Sequence, residues 1–174
     1  MLRMLQIDDF TWYYVFAAEL SSTYSLSAAE LPPSHSTFPA TSFPIASVAF
    51  QYTLDGKTTK MVDFGSDTKL DIAQCGKSDF QYWIIAPYLP NNITLLGELT
   101  KIIAVSETRY SDFKFITYYN TLMLKVSGEP NEVVVSSFYY RNSDELRTVS
   151  CTIGPSGTNR LSIGSYPGGN CYAI

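Results

Sequence analysis

The only histidine of this 174-residue chain, His35, stands against thirteen tyrosines, and this imbalance limits the acid–base chemistry available near neutral pH. His35 lies in the sequence Pro-Pro-Ser-His-Ser, and the pattern Gly-x-Ser-x-Gly is absent. Because a Ser–His nucleophile needs an oriented base and a third group, we favour an exposed loop histidine. A single histidine also excludes a catalytic metal site with two or three histidine ligands.

Two carboxylates offer the acid chemistry that glycosidases use across a cleft. Glu19 and Glu98 each lie in an apolar context, Ala-Ala-Glu-Leu and Leu-Gly-Glu-Leu, and burial raises the pKa of a carboxyl group. The alternative, which we favour, is a carboxylate at a rim or one paired with Lys101 or Arg109. We therefore assign no catalytic residue and lean toward a protein that is not an enzyme.

Metal chemistry receives little support from the spacing of acidic residues. Asp63, Asp67 and Asp71 recur every four residues, and calcium takes several oxygen ligands from such loops. This spacing does not match an EF-hand loop, so solvated turn residues are the better explanation. We expect neither a metal ion nor an organic cofactor.

Three cysteines, Cys75, Cys151 and Cys171, include no Cys-x-x-Cys pair, which argues against redox catalysis and structural zinc. We favour three reduced, partly buried thiols, because a free cysteine packs like a small apolar residue. The alternative is a Cys151–Cys171 disulfide that ties down the C-terminal segment and leaves Cys75 unpaired.

Charge and hydropathy restrict the partners. The net charge of −4 and the absence of a basic stripe argue against nucleic acid. No apolar run approaches the roughly 18 residues of a membrane span, so we expect no membrane insertion.

The first ten residues lack a signal-peptide pattern; we expect an extracellular or cell-surface domain, with a cytoplasmic protein as the alternative. Asn92-Ile-Thr94 is a glycosylation sequon, which matters only in a secreted eukaryotic protein.

Alternation of apolar and polar residues with a period of two predicts the strands that must position any site. An Asp55-Gly56 turn predicts a two-residue hairpin that sets Phe50 opposite Met61. Only residues 95–103 resemble a helix, and Gly97 weakens that interpretation. The strand candidates are 10–17, 48–54, 57–64, 69–75, 80–86, 101–106, 113–119, 121–127, 132–140, 146–153 and 160–164.

About ten short strands, separated by turn signals, predict an all-β fold, namely an antiparallel β-sandwich of jelly-roll or Greek-key type. We expect a single domain over residues 1–174. Residues 21–44 are rich in serine and threonine and contain four prolines. This stretch predicts a covering loop with little ladder pairing, because proline removes backbone donors.

Tyrosine doublets at 13–14, 118–119 and 139–140 lie in strand candidates, where successive side chains point to opposite faces. The apolar phase of residues 10–16 leaves Tyr13 outside, and Tyr118 joins Lys114 outside. The phase of Trp83 is ambiguous. We predict Tyr13, Trp83 and Tyr118 as ligand-binding residues, with burial under a second sheet or the proline-rich loop as the alternative.

These features favour a non-catalytic module that binds carbohydrate or a protein surface through exposed aromatics, within a larger extracellular protein or alone. One alternative is a structural or assembly protein, including a homo-oligomer, whose aromatic faces and strand edges meet other subunits. Another is a β-barrel that binds a small apolar ligand in an aromatic interior.

Overall fold

β-Branched and aromatic residues occupy most of the predicted strands, and these residues fit the half-buried surface of a pleated sheet. A computed structural model describes residues 1–32, 47–52, 60–164 and 169–173. These residues contain fourteen strands and two short 3-10 helices, Ala28–Glu30 and Thr117–Tyr119. The strands are β1 Leu2–Ile7, β2 Phe10–Ala17, β3 Tyr24–Ser27, β4 Ser47–Tyr52, β5 Met61–Phe64, β6 Lys69–Ile72, β7 Gln81–Pro87, β8 Ile93–Gly97, β9 Tyr110–Ile116, β10 Thr121–Ser127, β11 Val133–Tyr140, β12 Glu145–Thr152, β13 Thr158–Gly164 and β14 Gly169–Ala173.

The prediction of an all-β, antiparallel, sandwich-like fold is confirmed, although the strand number exceeds ten. The chain divides into two compact units, Met1–Pro87 and Tyr88–Ile174. Two units of contacts can belong to one folding domain, so the single domain over residues 1–174 stays a prediction.

The first unit places a five-stranded sheet, in the order β1-β2-β7-β4-β5, over the two-stranded sheet β3-β6. One face of the larger sheet contributes Tyr13 and Trp83 to a core that also contains Leu26 and Leu70 from the smaller sheet. β4 pairs with β5 so that Phe50 lies opposite Met61, as predicted. The Asp55-Gly56 turn itself lies outside the described residues.

The second unit has two layers, a four-stranded sheet in the order β14-β13-β10-β9 and a three-stranded sheet in the order β12-β11-β8. The Tyr110 hydroxyl and the Ser136 hydroxyl, one from each sheet, form a buried hydrogen bond of 2.9 Å. A disulfide between Cys151 on β12 and Cys171 on β14 joins the same two sheets, with Cα atoms 5.4 Å apart. The favoured prediction of three reduced thiols is therefore wrong, and Cys75 alone is free and buried.

Two segments differ from the sequence expectation. Within residues 21–44, Tyr24–Ser27 pairs with Lys69–Ile72, so this part is a strand rather than an unpaired loop; residues 33–44 lie outside the described residues. Residues 101–106 form no strand, although 93–97 do. Gly97 ends β8 at φ 79°, and the Glu98 amide then donates to the Ala104 carbonyl at 2.8 Å, closing a loop instead.

Candidate functional site

The three predicted ligand-binding residues lie in opposite environments. Tyr13 and Trp83 are each 1% exposed, whereas Tyr118 is 88% exposed. The Tyr13 hydroxyl donates to the Pro32 carbonyl at 3.0 Å, and Trp83 Nε1 donates to Gln81 Oε1 at 3.3 Å. The prediction that Tyr13 points outward is therefore wrong, because its ring belongs to the core of the first unit. Trp83, whose phase is ambiguous in the sequence, belongs to the same core.

The tyrosine doublets do not split into one inward and one outward ring. Both members of 13–14 and of 139–140 are buried, while both members of 118–119 are exposed. β2 and the end of β11 are buried on both faces, so strand parity does not separate core from surface there. Residues 118–119 belong to a 3-10 helix, where side chains do not alternate.

Tyr118 and Tyr119 form the tip of the hairpin between β9 and β10, which we call the tyrosine tip. Asn120 completes the turn at φ 47°, a left-handed conformation that asparagine tolerates. Thr121 Oγ1 donates to the Tyr119 carbonyl at 2.9 Å. The two rings meet edge to face, with centroids 4.8 Å apart and planes at 88°. The turn thus presents two aromatic rings in a fixed mutual orientation.

A β-bulge in β9 places Asp112 beside two cations. Met123 pairs with Lys114 but Lys125 pairs with Ser111, so β9 carries one residue more than β10 between these pairs. Asp112 adopts φ 55°, in the left-handed region, which aspartate occupies more often than most residues other than glycine. Its carboxylate receives Lys114 Nζ at 2.9 Å and Arg160 Nη2 at 3.1 Å.

A third cation, Lys125, also acts on the Asp112 carboxylate. The hydrogen bond from Lys114 is the main cause that lowers the pKa of Asp112, and the charges of Lys114, Arg160 and Lys125 add to it. With Asp112 ionised, three positive side chains face one negative side chain. The cluster carries an excess of positive charge on a protein whose net charge is −4.

Strand register extends this cluster across the sheet. Arg160 pairs with Tyr172 on one side and with Lys125 on the other, so the three lie in one row on the outward face. Tyr172 is 51% exposed. Thr121, the second residue after the tip, is four positions from Lys125, a distance of about 14 Å along the strand. The basic sheet face, as we name it, consists of Asp112, Lys114, Lys125, Arg160 and Tyr172.

Glu98 lines a separate cleft of about 370 Å³ in the second unit. Arg109 Nε donates to Glu98 Oε2 at 2.9 Å, and Lys101 Nζ lies at the same distance from that oxygen. Arg109 also donates through Nη1 to Glu132 Oε2 at 2.9 Å and to the Ser127 carbonyl at 2.6 Å. The favoured interpretation, a Glu98 tied to Lys101 or Arg109, is confirmed for both partners.

Glu132 in this cleft is held as an ionised partner of Arg109 rather than as a proton donor. The hydrogen bond from Arg109 lowers the pKa of Glu132 to about 2, whereas a general acid near neutral pH needs a raised pKa. Through one guanidinium, Arg109 joins Glu98 at the end of β8 to the turn between β10 and β11. This network fixes the loop that follows Gly97.

Other candidate residues lie in the first unit or outside the description. Glu19 is exposed and its Oε1 lies 3.3 Å from Lys77 Nζ. No three His, Cys, Asp or Glu side chains in the described ranges are grouped to hold a metal ion, Asp63, Asp67 and Asp71 included. His35 falls outside those ranges. Of the helices that the structure describes, none has the length and apolar character to cross a membrane.

A groove of about 430 Å³ in the first unit runs between the five-stranded sheet and β3. Val15, Leu26 and Ile72 give it an apolar wall. Exposed Tyr24 and Glu30 also line it, and the Tyr24 hydroxyl donates to the Glu30 carboxylate. Its lining offers an apolar contact of modest size and a single carboxylate.

No protein-family model matches this chain, and no curated protein is significantly similar to it.

The sequence pattern identified Tyr118 and Lys114 but missed the other residues of these two surfaces. Arg160, Leu161, Ser162 and Ile163 alternate between polar and apolar side chains, which is a signal that Arg160 faces outward. Neither the bulge at Asp112 nor the row that joins Tyr172 to Lys125 has such a signal, because both depend on which strands are neighbours.

Proposed function

We propose that this chain is a non-catalytic binding module that recognises carbohydrate through the tyrosine tip. The observation that carries the proposal is the exposure of two adjacent rings, Tyr118 at 88% and Tyr119 at 70%. Burial of a large aromatic side chain is favourable, so a partner that covers these two exposed rings would gain binding free energy from them. A tyrosine ring is apolar on its face and polar at its hydroxyl, which matches the mixed surface of a sugar.

The turn that carries the rings supports this proposal. Asn120 and the Thr121 hydrogen bond fix the backbone of the hairpin, and the edge-to-face contact restricts each ring. A preorganised pair loses less conformational entropy on binding than two mobile side chains would.

We also propose an extracellular or cell-surface location. The Cys151–Cys171 disulfide supports it, because structural disulfides persist mainly in oxidising compartments. Asn92, the residue of the sequon that would carry a glycan, is exposed at φ 59° just before β8, whereas Thr94 is buried in that strand.

A second candidate, subunit assembly, is favoured by a different surface. Val133, Val135 and Leu146 are exposed, and strand register places all three on one face of β11 and β12. β12 is an edge strand, whose unpaired backbone groups can accept a strand from another chain. Light scattering over a concentration series tests this candidate: a monomer at every concentration contradicts it.

The test of carbohydrate recognition is a glycan array probed with the wild type and with Tyr118→Ala/Tyr119→Ala. We expect binding to fall by at least about tenfold, since each ring contributes on the order of 1 kcal/mol. Tyr24→Ala is the matched control, because Tyr24 is an exposed tyrosine of the first unit. Array signals that survive the double substitution contradict the proposal.

A further inference from the structure

We infer that the carbohydrate is acidic and that its anionic groups bind the Lys114–Lys125–Arg160 cluster of the basic sheet face, an inference that rests on the proposed function. The ligand class is an oligosaccharide that carries carboxylate or sulfate groups. Its rings cover the tyrosine tip while its charges meet the cations.

Charge complementarity is the first argument for an anion. Asp112 already receives Lys114 at 2.9 Å and Arg160 at 3.1 Å, and the charge of Lys125 reaches it as well. One carboxylate cannot neutralise three cations, so positive potential remains on the face. An Arg guanidinium offers further N–H donors in a planar fork suited to carboxylate or sulfate.

Accessibility is the second argument. The side chains of Lys114, Asp112 and Arg160 are 61%, 37% and 33% exposed. Lys125 and its neighbour Met123 on β10 are also partly exposed rather than buried. An anion can therefore approach the cations without any rearrangement of the sheet.

The local backbone is the third argument. Asp112 is held at φ 55° by a bulge, in a conformation that costs free energy for a residue other than glycine. This geometry aligns Lys114 and Arg160 on one carboxylate. Bulges of this kind commonly re-aim a side chain at a binding site.

The distance between the cations and the tyrosine tip favours an oligosaccharide over a single sugar. The small number of cations argues against nucleic acid. About 14 Å separates Lys125 from Thr121, which lies two residues beyond the tyrosine tip, and this distance exceeds the width of one sugar ring. Nucleic acids bind through many phosphate contacts along an extended basic surface, and this face has three cations in one cluster.

Two matched pairs of polysaccharides test the inference by titration calorimetry at low ionic strength: polygalacturonate with its methyl ester, and dextran sulfate with dextran. We expect the anionic member of at least one pair to bind at least about tenfold more tightly than its neutral partner, and to weaken as salt rises. Arg160→Gln and Lys125→Gln should each reduce that affinity about fivefold. Lys60→Gln, which removes an exposed lysine of the first unit, should leave it unchanged.

The outcomes separate this inference from the proposed function. Equal binding of both members of each pair overturns the acidic ligand and leaves the carbohydrate module standing. Anionic binding that neither Arg160→Gln nor Lys125→Gln weakens also overturns it. Failure of the wild type to bind any of the four polysaccharides or any array glycan contradicts the proposed function itself. A preference in only one pair assigns the anion as carboxylate or as sulfate.

Discussion

Reduction of the Cys151–Cys171 disulfide should lower the free energy of unfolding of the second unit by an amount that depends on the length of the loop that the bond closes. The bond links residues 20 apart in sequence and joins β12 of one sheet to β14 of the other. In the chain-entropy model, opening a loop of this size lowers the free energy of unfolding by about 3 kcal/mol. β14 pairs along one side only, with β13, so the disulfide is its main other attachment.

Hydrogen exchange measured by mass spectrometry suits this prediction, because it reports each strand separately. We expect amides of 121–127, 146–152 and 158–164 to exchange about 100-fold faster in protein refolded under a phosphine reductant, the factor that corresponds to about 3 kcal/mol. Cys151→Ala/Cys171→Ala should show the same pattern without reductant. Tryptophan fluorescence is unsuitable, since Trp12 and Trp83 both lie in the first unit.

A control and a contradictory result complete the design. Cys75→Ala removes a buried thiol of the first unit that belongs to no disulfide, so adding reductant to this variant should still accelerate exchange in the second unit. Equal protection of the three strands in oxidised and reduced protein refutes the reasoning. It would mean that packing between the sheets, including the Tyr110–Ser136 contact, already fixes β14 without the covalent link.

Three further predictions concern stability. The pKa of Glu132 falls from 4.5 to about 2 on folding, so its contribution is present above about pH 4.5 and is lost as the pH falls toward 2; after discounting for solvent screening, Glu132→Gln should reduce the acid loss in urea titrations by about 1 kcal/mol. An unchanged acid slope contradicts this. Gly97→Ala places a Cβ 2.0 Å from the Ala104 oxygen at φ 79° and should cost more than about 3 kcal/mol in urea unfolding; wild-type stability refutes it. Tyr110→Phe leaves the buried Ser136 hydroxyl without this partner and should cost about 1–3 kcal/mol by the same assay; no loss indicates that another group satisfies Ser136.

Local periodicity predicted the bounds of some strands well, whether one face or both faces of the strand are buried. β2 and β10 have the predicted bounds, and Phe50 lies opposite Met61. The Glu98 ion pairs with Lys101 and Arg109 are also among the sequence interpretations, beside a carboxylate at a rim. Periodicity failed for Tyr13 and Trp83, whose strands are buried on both faces.

The residues of the basic sheet face show why the rest could not be predicted. Arg160 and Asp112 are 48 positions apart, and their ion pair exists because β13 and β9 lie on either side of β10. That order depends on tertiary packing, which no period along the chain encodes. The bulge then adds one residue to β9, so even a correct strand order predicts the wrong direction for Asp112.

An ion cluster assembled in this way is informative about function because folding alone does not require it. The Glu98–Arg109–Glu132 network is largely shielded from solvent, and it holds a loop and a turn together. The cations around Asp112 are partly or largely exposed, and an exposed ion pair contributes about 0–1 kcal/mol, yet Asp112 keeps a left-handed backbone. A left-handed residue that gains so little stability from its ion pairs supports the proposed role in recognition, and the excess positive charge beside it supports the inference of an anionic ligand.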